Sequence, residues 1–365
     1  MLSWWDAGHR DLPWRFPQHA ADPYRVWLAE VMLQQTRVAT AEPYYRRFVA
    51  RWPTLPALAA ADDGEVLAAW SGLGYYARCR NLLAAAREAL ARHGGLPASL
   101  PDLRALPGFG PYTAGAVASV AFAIPAAAVD GNAMRVLSRL EGGTGSVMSL
   151  TVKRRIEAIA GALVPAGRPG DWNQAVMELG ATVCLPRRPR CAECPIVRAC
   201  VASREGLTDR IPTRRERRAP ERRVMALARI ERGGRLLMLR APPRGLFAGM
   251  WGFPWVNVPA GADPGEHLRR RAAPELGVRL EVGREIATVT RLLTHRRLEL
   301  VVHACRLRGK PPQDLSRWAF TSEGEASRLP ASTAMRRVIE ASGGWTTAPR
   351  GTEGTEKRPG STGRP

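Results

Sequence analysis

The sequence holds 365 residues, enough for two domains that each bury a core, and sets 54 lysines and arginines against 33 acids for a net charge of +21. So basic a chain points to a polyanionic partner, because each neutralised phosphate releases counterions. A genome-wide preference for arginine explains the type of cation, only Lys153, Lys310 and Lys357 being lysines, but not the excess of cation over acid. Asp6, His9, Arg10 and Asp11 come too early for a signal peptide, which implies a cytoplasmic chain, and the longest weakly apolar run, 114–129, is interrupted by Ser119 and Pro125, which argues against a membrane span.

Near the N-terminus, DLPWRFPQHAADPYRVWLAEVMLQQTRVAT reads as two proline-marked loop segments and then a helix from about Pro23. Val26, Trp27, Leu28, Val31, Met32 and Leu33 make that helix apolar nearly all round, so it is expected to be buried with Glu30 in its middle. A carboxyl so placed either pairs with a buried arginine or has its pKa raised enough to act as a general acid near neutral pH. EVLAAWSGLGYYARCRNLLAAAREALARHGG then predicts two helices interrupted at Gly72–Gly74 and closed at Gly94. Tyr75 and Tyr76 follow the turn near Arg78 and Arg80, either as core aromatics or as wedges for a base stack.

The segment LPGFGPYTAGAVASVAFAIPAAAVDGNAMRVLSRL, 106–140, predicts a helix end, a tight turn at Gly108-Phe109-Gly110 and a second helix from Pro111. That is a helix-hairpin-helix pattern, whose free amides at a helix N-terminus suit a phosphate. Small residues line the second helix, so other backbones can approach it closely. Asp130 stands between the apolar run 126–129 and an amphipathic helix, and reads either as an N-cap or as a carboxylate facing a cleft. A basic helix follows near Lys153, and then DWNQAVMELGATVC, where Asn173, Gln174 and Glu178 alternate with apolar residues.

Cys184, Cys191, Cys194 and Cys200 stand in a C-x6-C-x2-C-x5-C pattern. Four thiols so close in a cytosolic chain argue for metal, with one compact loop suiting a [4Fe–4S] cluster better than zinc or a disulfide pair. Cys79 and Cys305 lack such partners and are expected to be buried thiols. IPTRRERRAPERR then reads as a linker, after which VMALARI, RLLMLR, MWGFPWVNV, EIATVTRLL and RLELVVHACRL change the texture to strands.

With these motifs in place, the chain resembles the endonuclease III superfamily of DNA glycosylases, and within it the MutY-type adenine glycosylases, over all but its last twenty or so residues. The second half resembles a Nudix fold. The implied architecture is multidomain: an all-α helix-hairpin-helix glycosylase domain at 1–212 with the iron-sulfur loop at 184–200, a basic linker at 213–222, an α+β Nudix-like recognition domain at 223–342, and a disordered tail at 343–365. The Nudix acids for magnesium are missing: RRRAAPELGV retains only Glu275, too little for pyrophosphate chemistry.

The resemblance assigns roles residue by residue. Glu30 would protonate adenine, Asp130 would stabilise the sugar cation or capture it briefly as a covalent intermediate, Asn132 would orient the site, and Tyr112 would lie close to the sugar. Trp14, Arg15 and Glu178 would border the adenine pocket, Gln35 and Tyr75 would insert beside the target pair, and Gly108 and Gly110 would meet the DNA backbone. The four cysteines would hold one [4Fe–4S] cluster per chain, and Arg187, Arg188 and Arg190 in their loop could meet phosphates. In the second domain Thr294 and His295 would read 8-oxoguanine, with Leu293 where the family carries phenylalanine.

The function implied is monofunctional excision of adenine opposite 8-oxoguanine or guanine in duplex DNA, by a monomer associated with the nucleoid. A bifunctional glycosylase and lyase acting on oxidised pyrimidines would carry a lysine where this chain has Tyr112. A non-catalytic iron-sulfur DNA-binding protein would need neither Glu30 nor Asp130, and a Nudix hydrolase would need the missing acids.

Overall fold

The computed structural model describes residues 1–15, 22–146, 149–213, 219–293 and 296–345. The chain divides into two compact units, Met1–Ala219 and Pro220–Pro365. In the first, the described residues form α1 (Leu2–Ala7), a 3₁₀ turn at Pro13–Arg15, α2 (Pro23–Leu33), α3 (Val38–Arg51), α4 (Leu55–Ala59), α5 (Asp63–Trp70) and α6 (Tyr76–His93). There follow α7 (Leu100–Ala105), α8 (Pro111–Phe122), α9 (Gly131–Glu141), α10 (Leu150–Leu163), α11 (Pro169–Thr182) and α12 (Val201–Arg204).

Helix α2 is the centre of this unit. Asp22 caps it by accepting from the amides of Tyr24 and Arg25, and Pro23 occupies a first-turn position where its missing N–H is no loss. Tyr24, Val26, Trp27, Leu28, Ala29, Val31 and Met32 are buried on it, as the nearly all-round apolar pattern requires. It packs against α3, α6 and α8, and Trp27 stacks on Phe109 of the Gly-Phe-Gly turn at 5.2 Å.

Small residues let α8 do the same on several sides. A Cβ on Gly115 would stand 2.0 Å from the Ala127 carbonyl oxygen, so the chain leaving α8 folds directly back onto it and carries Asp130 inward. Gly170 of α11 likewise lies against the backbone of Ser119 and Val120. Apolar residues form one cluster around α2, α6 and α8 and a second around α9, α10 and α11.

The second unit is a seven-stranded mixed sheet of β1 (Glu221–Arg232), β2 (Arg235–Arg240), β3 (Trp251–Gly252), β4 (Trp255–Val258), β5 (Arg279–Leu292), β6 (Arg296–Arg308) and β7 (Trp318–Thr321). The main path is β3-β2-β1-β6-β5, with β4 beside β1 and β7 beside β2; β1 and β6 run parallel and the other pairs antiparallel. Alternation along β1 sends Met225 and Leu227 to one face and Ala226, Ala228 and Ile230 to the other. The first set meets α15 (Thr333–Ala341) through Met335, Val338 and Ile339, and the second meets α13 (Pro264–Leu276) through Leu268 and Ala272; α14 (Glu323–Arg328) adjoins β7.

Two boundaries differ from the sequence reading. Strand β1 already begins at Glu221, inside the stretch expected to be linker, because Glu221 and Arg222 pair with Arg296 and Arg297 of β6. Trp345, placed in the tail by composition, packs against the α15 side of the sheet and donates its indole N–H to the Thr321 carbonyl at 2.8 Å. A large aromatic with a satisfied polar edge outweighs the glycines around it.

Gly115→Ala should destabilise the first unit, since its Cβ meets backbone that cannot yield cheaply; overpacking costs about 1–3 kcal/mol. Thermal unfolding should show a fall of several degrees, at roughly 2–4 °C per kcal/mol. Gly161→Ala, where nothing lies within 4 Å of the new Cβ, should leave Tm unchanged or slightly raised. Equal Tm values for the two variants would contradict this packing.

Candidate active site

Glu30 sits on the inward face of α2 with 9% of its surface exposed. Tyr112, in the first turn of α8, donates its hydroxyl to Glu30 Oε2, and the Tyr112 oxygen lies 3.4 Å from Met177 Sδ. Burial pushes the Glu30 carboxyl up to about 7; the tyrosine hydrogen bond opposes the rise, Asp130 adds to it, and Arg15 opposes it. The group is therefore poised to hold or release a proton at neutral pH. Burial, and then Glu30 beside it, drives the Tyr112 hydroxyl well above its ordinary range, so it remains a donor.

Asp130 fulfils both of its sequence readings at once. It caps α9, accepting from the Ala133 amide at 2.6 Å and from Asn132 Nδ2 at 3.0 Å, and it also lines the cleft with Glu30. Burial raises its pKa, with these hydrogen bonds and Arg135 working against the rise. The loop that delivers it is pinned by the buried Asn173. Its Nδ2 donates to Ser119 Oγ and to the Ala126 carbonyl, both at 2.8 Å, while its Oδ1 accepts from the Ala128 amide at 3.1 Å.

Glu178 on α11 is 2% exposed and doubly paired. Arg10 approaches it bidentately, Nε to Oε1 at 2.6 Å and Nη2 to Oε2 at 2.8 Å, and Arg15 reaches Oε2 at 3.1 Å. Burial alone would raise the Glu178 pKa, but the two guanidinium groups outweigh it and the net direction is down. Arg15 in turn lies 4.9 Å from the centroid of the Trp5 ring, which stacks on His9 at 4.0 Å. Arg10 was not singled out from sequence, although it stands five residues before Arg15 in HRDLPWR.

One cleft of about 1250 Å³ collects these groups. Glu30, Tyr112, Asp130 and Asn132 line it, as do Trp14, Arg15 and Glu178. Gln35, Gly108 and Gly110 border the same space, and so does Lys153 of α10, an amine well away in sequence from the Gly-Phe-Gly turn. Tyr75 is not on its wall; it is 47% exposed at the start of α6.

The two turn glycines differ in kind. Gly108 has φ 78 and a Cβ there would stand 2.8 Å from Asn81 Cβ, whereas Gly110 has φ −77 and serves as the N-cap of α8. Gln35 at φ 57 and Tyr75 at φ 50 are left-handed without being glycine, a conformation that costs roughly 1–2 kcal/mol each. Ala123, at the C-cap of α8, and Arg188 share this left-handed conformation, and all four residues hold it at exposed positions.

Residues 28–161 match the HhH-GPD superfamily of base excision DNA repair proteins, and residues 225–341 match the NUDIX domain family. The human adenine DNA glycosylase is 35% identical over 93% of this chain and 72% of its own length. The adenine DNA glycosylase of Mycolicibacterium smegmatis is 41% identical over 54% of this chain and 66% of its own. Among solved structures, that of a thermostable thymine-DNA glycosylase aligns at 28% identity and a TM-score of 0.50, over 56% of this chain and 93% of that one. The chain belongs to the adenine DNA glycosylase family. It is thus an N-glycosylase of base excision repair, and DNA is its partner.

In this family member the four cysteines surround a second, small cavity that they share with Arg139. Arg139 is 2% exposed, and no carboxylate pairs with it among the described residues. Its guanidinium donates instead to the carbonyls of Ile211 and Leu185 and, at 3.2 Å, to Cys184 Sγ. A buried cation facing sulfur fits a deprotonated, metal-bound thiolate, so the donor set suits an iron-sulfur cluster. Arg135, one helical turn earlier on the same face of α9, donates to the Cys184 and Gly180 carbonyls and to Asn132 Oδ1 at 2.9 Å. The cysteine loop and Asp130 are thereby joined through Asn132.

The second unit of this glycosylase gives a mixed picture. Glu275, the one acid in RRRAAPELGV, is paired with Arg271 at 2.7 Å. Leu293 packs against the apolar cluster on the α15 side, and its amide donates to the Arg296 carbonyl at 2.7 Å. Thr294 and His295, assigned to lesion reading, lie outside the described residues.

Glu30 also leaves a signature in stability. Its folded pKa of about 7 stands above the unfolded value of 4.5, so the neutral carboxyl stabilises the fold fully below pH 4.5 and that contribution is lost as pH rises through 7. Glu30→Gln, which is neutral at every pH, should therefore gain stability relative to the native chain as pH rises from 5 to 8, by up to a few kcal/mol at about 1.4 kcal/mol per unit, read as a growing Tm difference. A Tm difference independent of pH would show that Glu30 is not held neutral.

Proposed function

We propose that this glycosylase is monofunctional, works as a monomer in the cytoplasm on the nucleoid, and excises adenine paired with 8-oxoguanine or guanine in duplex DNA. The observation that carries the reading is a buried, protonatable Glu30 and a helix-capping, hydrogen-bonded Asp130 in one cleft, two carboxyls whose surroundings suit opposite tasks. Adenine is reached only out of the stack, at a cost of a few kcal/mol, which Gln35 and Tyr75 offset by wedging into the gap it leaves. The flipped base enters between Trp14, Arg15 and Glu178, while the amides at the Gly108–Gly110 turn hold a phosphate.

Glu30 then passes its proton to a ring nitrogen of adenine as the glycosidic bond breaks. Positive charge builds on the sugar, and Asp130 faces it as a carboxylate, its position fixed by the Ala133 amide and Asn132. Tyr112 keeps the Glu30 carboxyl oriented and stands beside the sugar. Cys184, Cys191, Cys194 and Cys200 would hold a [4Fe–4S] cluster, and their ligation would order the loop that bears Arg187, Arg188 and Arg190 without supplying a step of the reaction. Thr294 and His295 are the proposed readers of 8-oxoguanine.

Lys153 on the cleft wall favours a second reading, a lyase step through an amine on the abasic sugar. Borohydride trapping separates the two: a glycosylase acting through water gives no covalent adduct, whereas an adduct lost in Lys153→Ala supports the lyase.

Single-turnover excision on duplexes with A opposite 8-oxoguanine, A opposite G, and an oxidised pyrimidine tests the substrate class, product being expected from the first two alone. Glu30→Gln should lose roughly 10²–10⁴ in rate while still binding duplex. The native rate should fall as pH rises through about 7, where Glu30 loses its proton, and also in acid, where Asp130 gains one. A rate flat across pH 6–9 would remove Glu30 from the chemistry. Purified protein should be brown with about four irons per chain; stoichiometric zinc would refute the cluster.

A further inference from the structure

Arg78 stands outside the cleft, in the first turn of α6. Its Nη1 donates to the carbonyls of Val31 at 2.8 Å, of Met32 at 3.1 Å, and of Gln34; its Nη2 reaches Thr36 Oγ1 at 3.2 Å and the Gly74 carbonyl at 3.4 Å. The first three acceptors are at or just past the C-terminus of α2, where carbonyls lack helical partners and the dipole is negative. The fifth belongs to the turn that opens α6. The guanidinium also lies 5.2 Å from the centroid of the Tyr75 ring and 5.7 Å from that of Trp70.

The pattern of acceptors is specific. Gln34 and Gly74 are the residues immediately before Gln35 and Tyr75, so the peptide group leading into each left-handed residue is gripped by the same cation. Gln34 is held from the other side too, its Nε2 donating to Thr113 Oγ1 of α8 at 3.0 Å. Burial lowers the Arg78 pKa to about 10, which leaves the side chain charged at neutral pH.

We propose that Arg78 is a positioning residue that locks Gln35 and Tyr75 into one rigid pair, so that the two tips enter DNA together and the target base is expelled in a single motion. The proposal rests on the wedge reading of Gln35 and Tyr75 given above. Lysine keeps the charge at this position but has no planar fork with which to bind carbonyls from two loops at once.

The test uses the full chain in single-turnover excision on two duplexes, one with paired flanks and one in which mismatches on both sides of the target adenine already disrupt its stacking. Arg78→Lys should lose about tenfold or more on the paired duplex and little on the mismatched one, because the wedge matters only where a stack must be opened. The ratio between duplexes is read within one preparation, so a lower folded fraction cancels. Equal loss on both duplexes, or no loss on either, overturns the proposal.

Tyr75→Ala and Gln35→Ala are measured alongside. If they show the duplex-dependent loss and Arg78→Lys does not, the wedges stand and the role of Arg78 falls. If neither shows it, the wedge reading itself fails, and the inference with it. Combining Tyr75→Ala with Arg78→Lys should give less than the product of the separate losses, as expected for residues acting as a unit; strictly multiplicative losses would show that the two act independently.

Discussion

The cleft depends on one costly arrangement, a carboxyl buried in a helix that is apolar nearly all round. Glu30 is tolerated among Trp27, Leu28, Val31 and Met32 because it can hold its proton and because Tyr112 offers it a hydrogen bond. Both conditions come from packing rather than from a counter-ion. Small residues on α8 bring that helix close enough for Tyr112 to reach, and the same closeness turns the following loop inward to set Asp130 in the cleft. Packing of α8 against α2 thus surrounds the Glu30 carboxyl, while packing of the following loop against Gly115 of α8 sets the position of Asp130.

The second carboxylate is kept different by its surroundings. Asp130 is also buried, but it spends its oxygens on an amide at a helix N-terminus and on Asn132, donors that favour the charged form. Glu178 shows a third environment on the same cleft wall, where two arginines hold its pKa down. Burial raises Glu30 and Asp130 alike, with the hydrogen bonds on Asp130 opposing the rise, whereas at Glu178 the two arginines prevail and the direction reverses.

Much of this was legible in the sequence. An all-round apolar run opening at a proline located α2, the Gly-Phe-Gly turn located α8, and the bare spacing of the thiols brought four cysteines to one cavity. What could not be read was pairing across long separations. Arg10 meets Glu178 across 168 residues, and Asn173 pins a loop 45 residues earlier; nothing local distinguishes either from its neighbours. Arg135 and Arg139 carry a faint signal, a four-residue interval that puts both on one helix face ahead of the cysteines. The beginning of β1 and the packing of Trp345 escaped composition because a strand partner and an aromatic contact override local preference.

Asp130 serves two purposes at once, as a wall of the cleft and as the cap of α9. A cleft carboxylate that doubles as a helix cap would tie the proposed chemistry to folding, since the amide of Ala133 orders the group and the group orders α9. Replacing it with asparagine preserves a capping oxygen and removes the charge, so such a change acts on the reaction while leaving the helix start intact. Replacing it with alanine removes both. The same logic applies at Asn132, whose amide nitrogen serves Asp130 while its carbonyl oxygen receives Arg135 from the direction of the cysteine loop. An asparagine used at both ends has one orientation that satisfies both partners, and the reverse orientation satisfies neither. The cleft is thus ordered from the cysteine loop inward, through a side chain that cannot flip without breaking two hydrogen bonds.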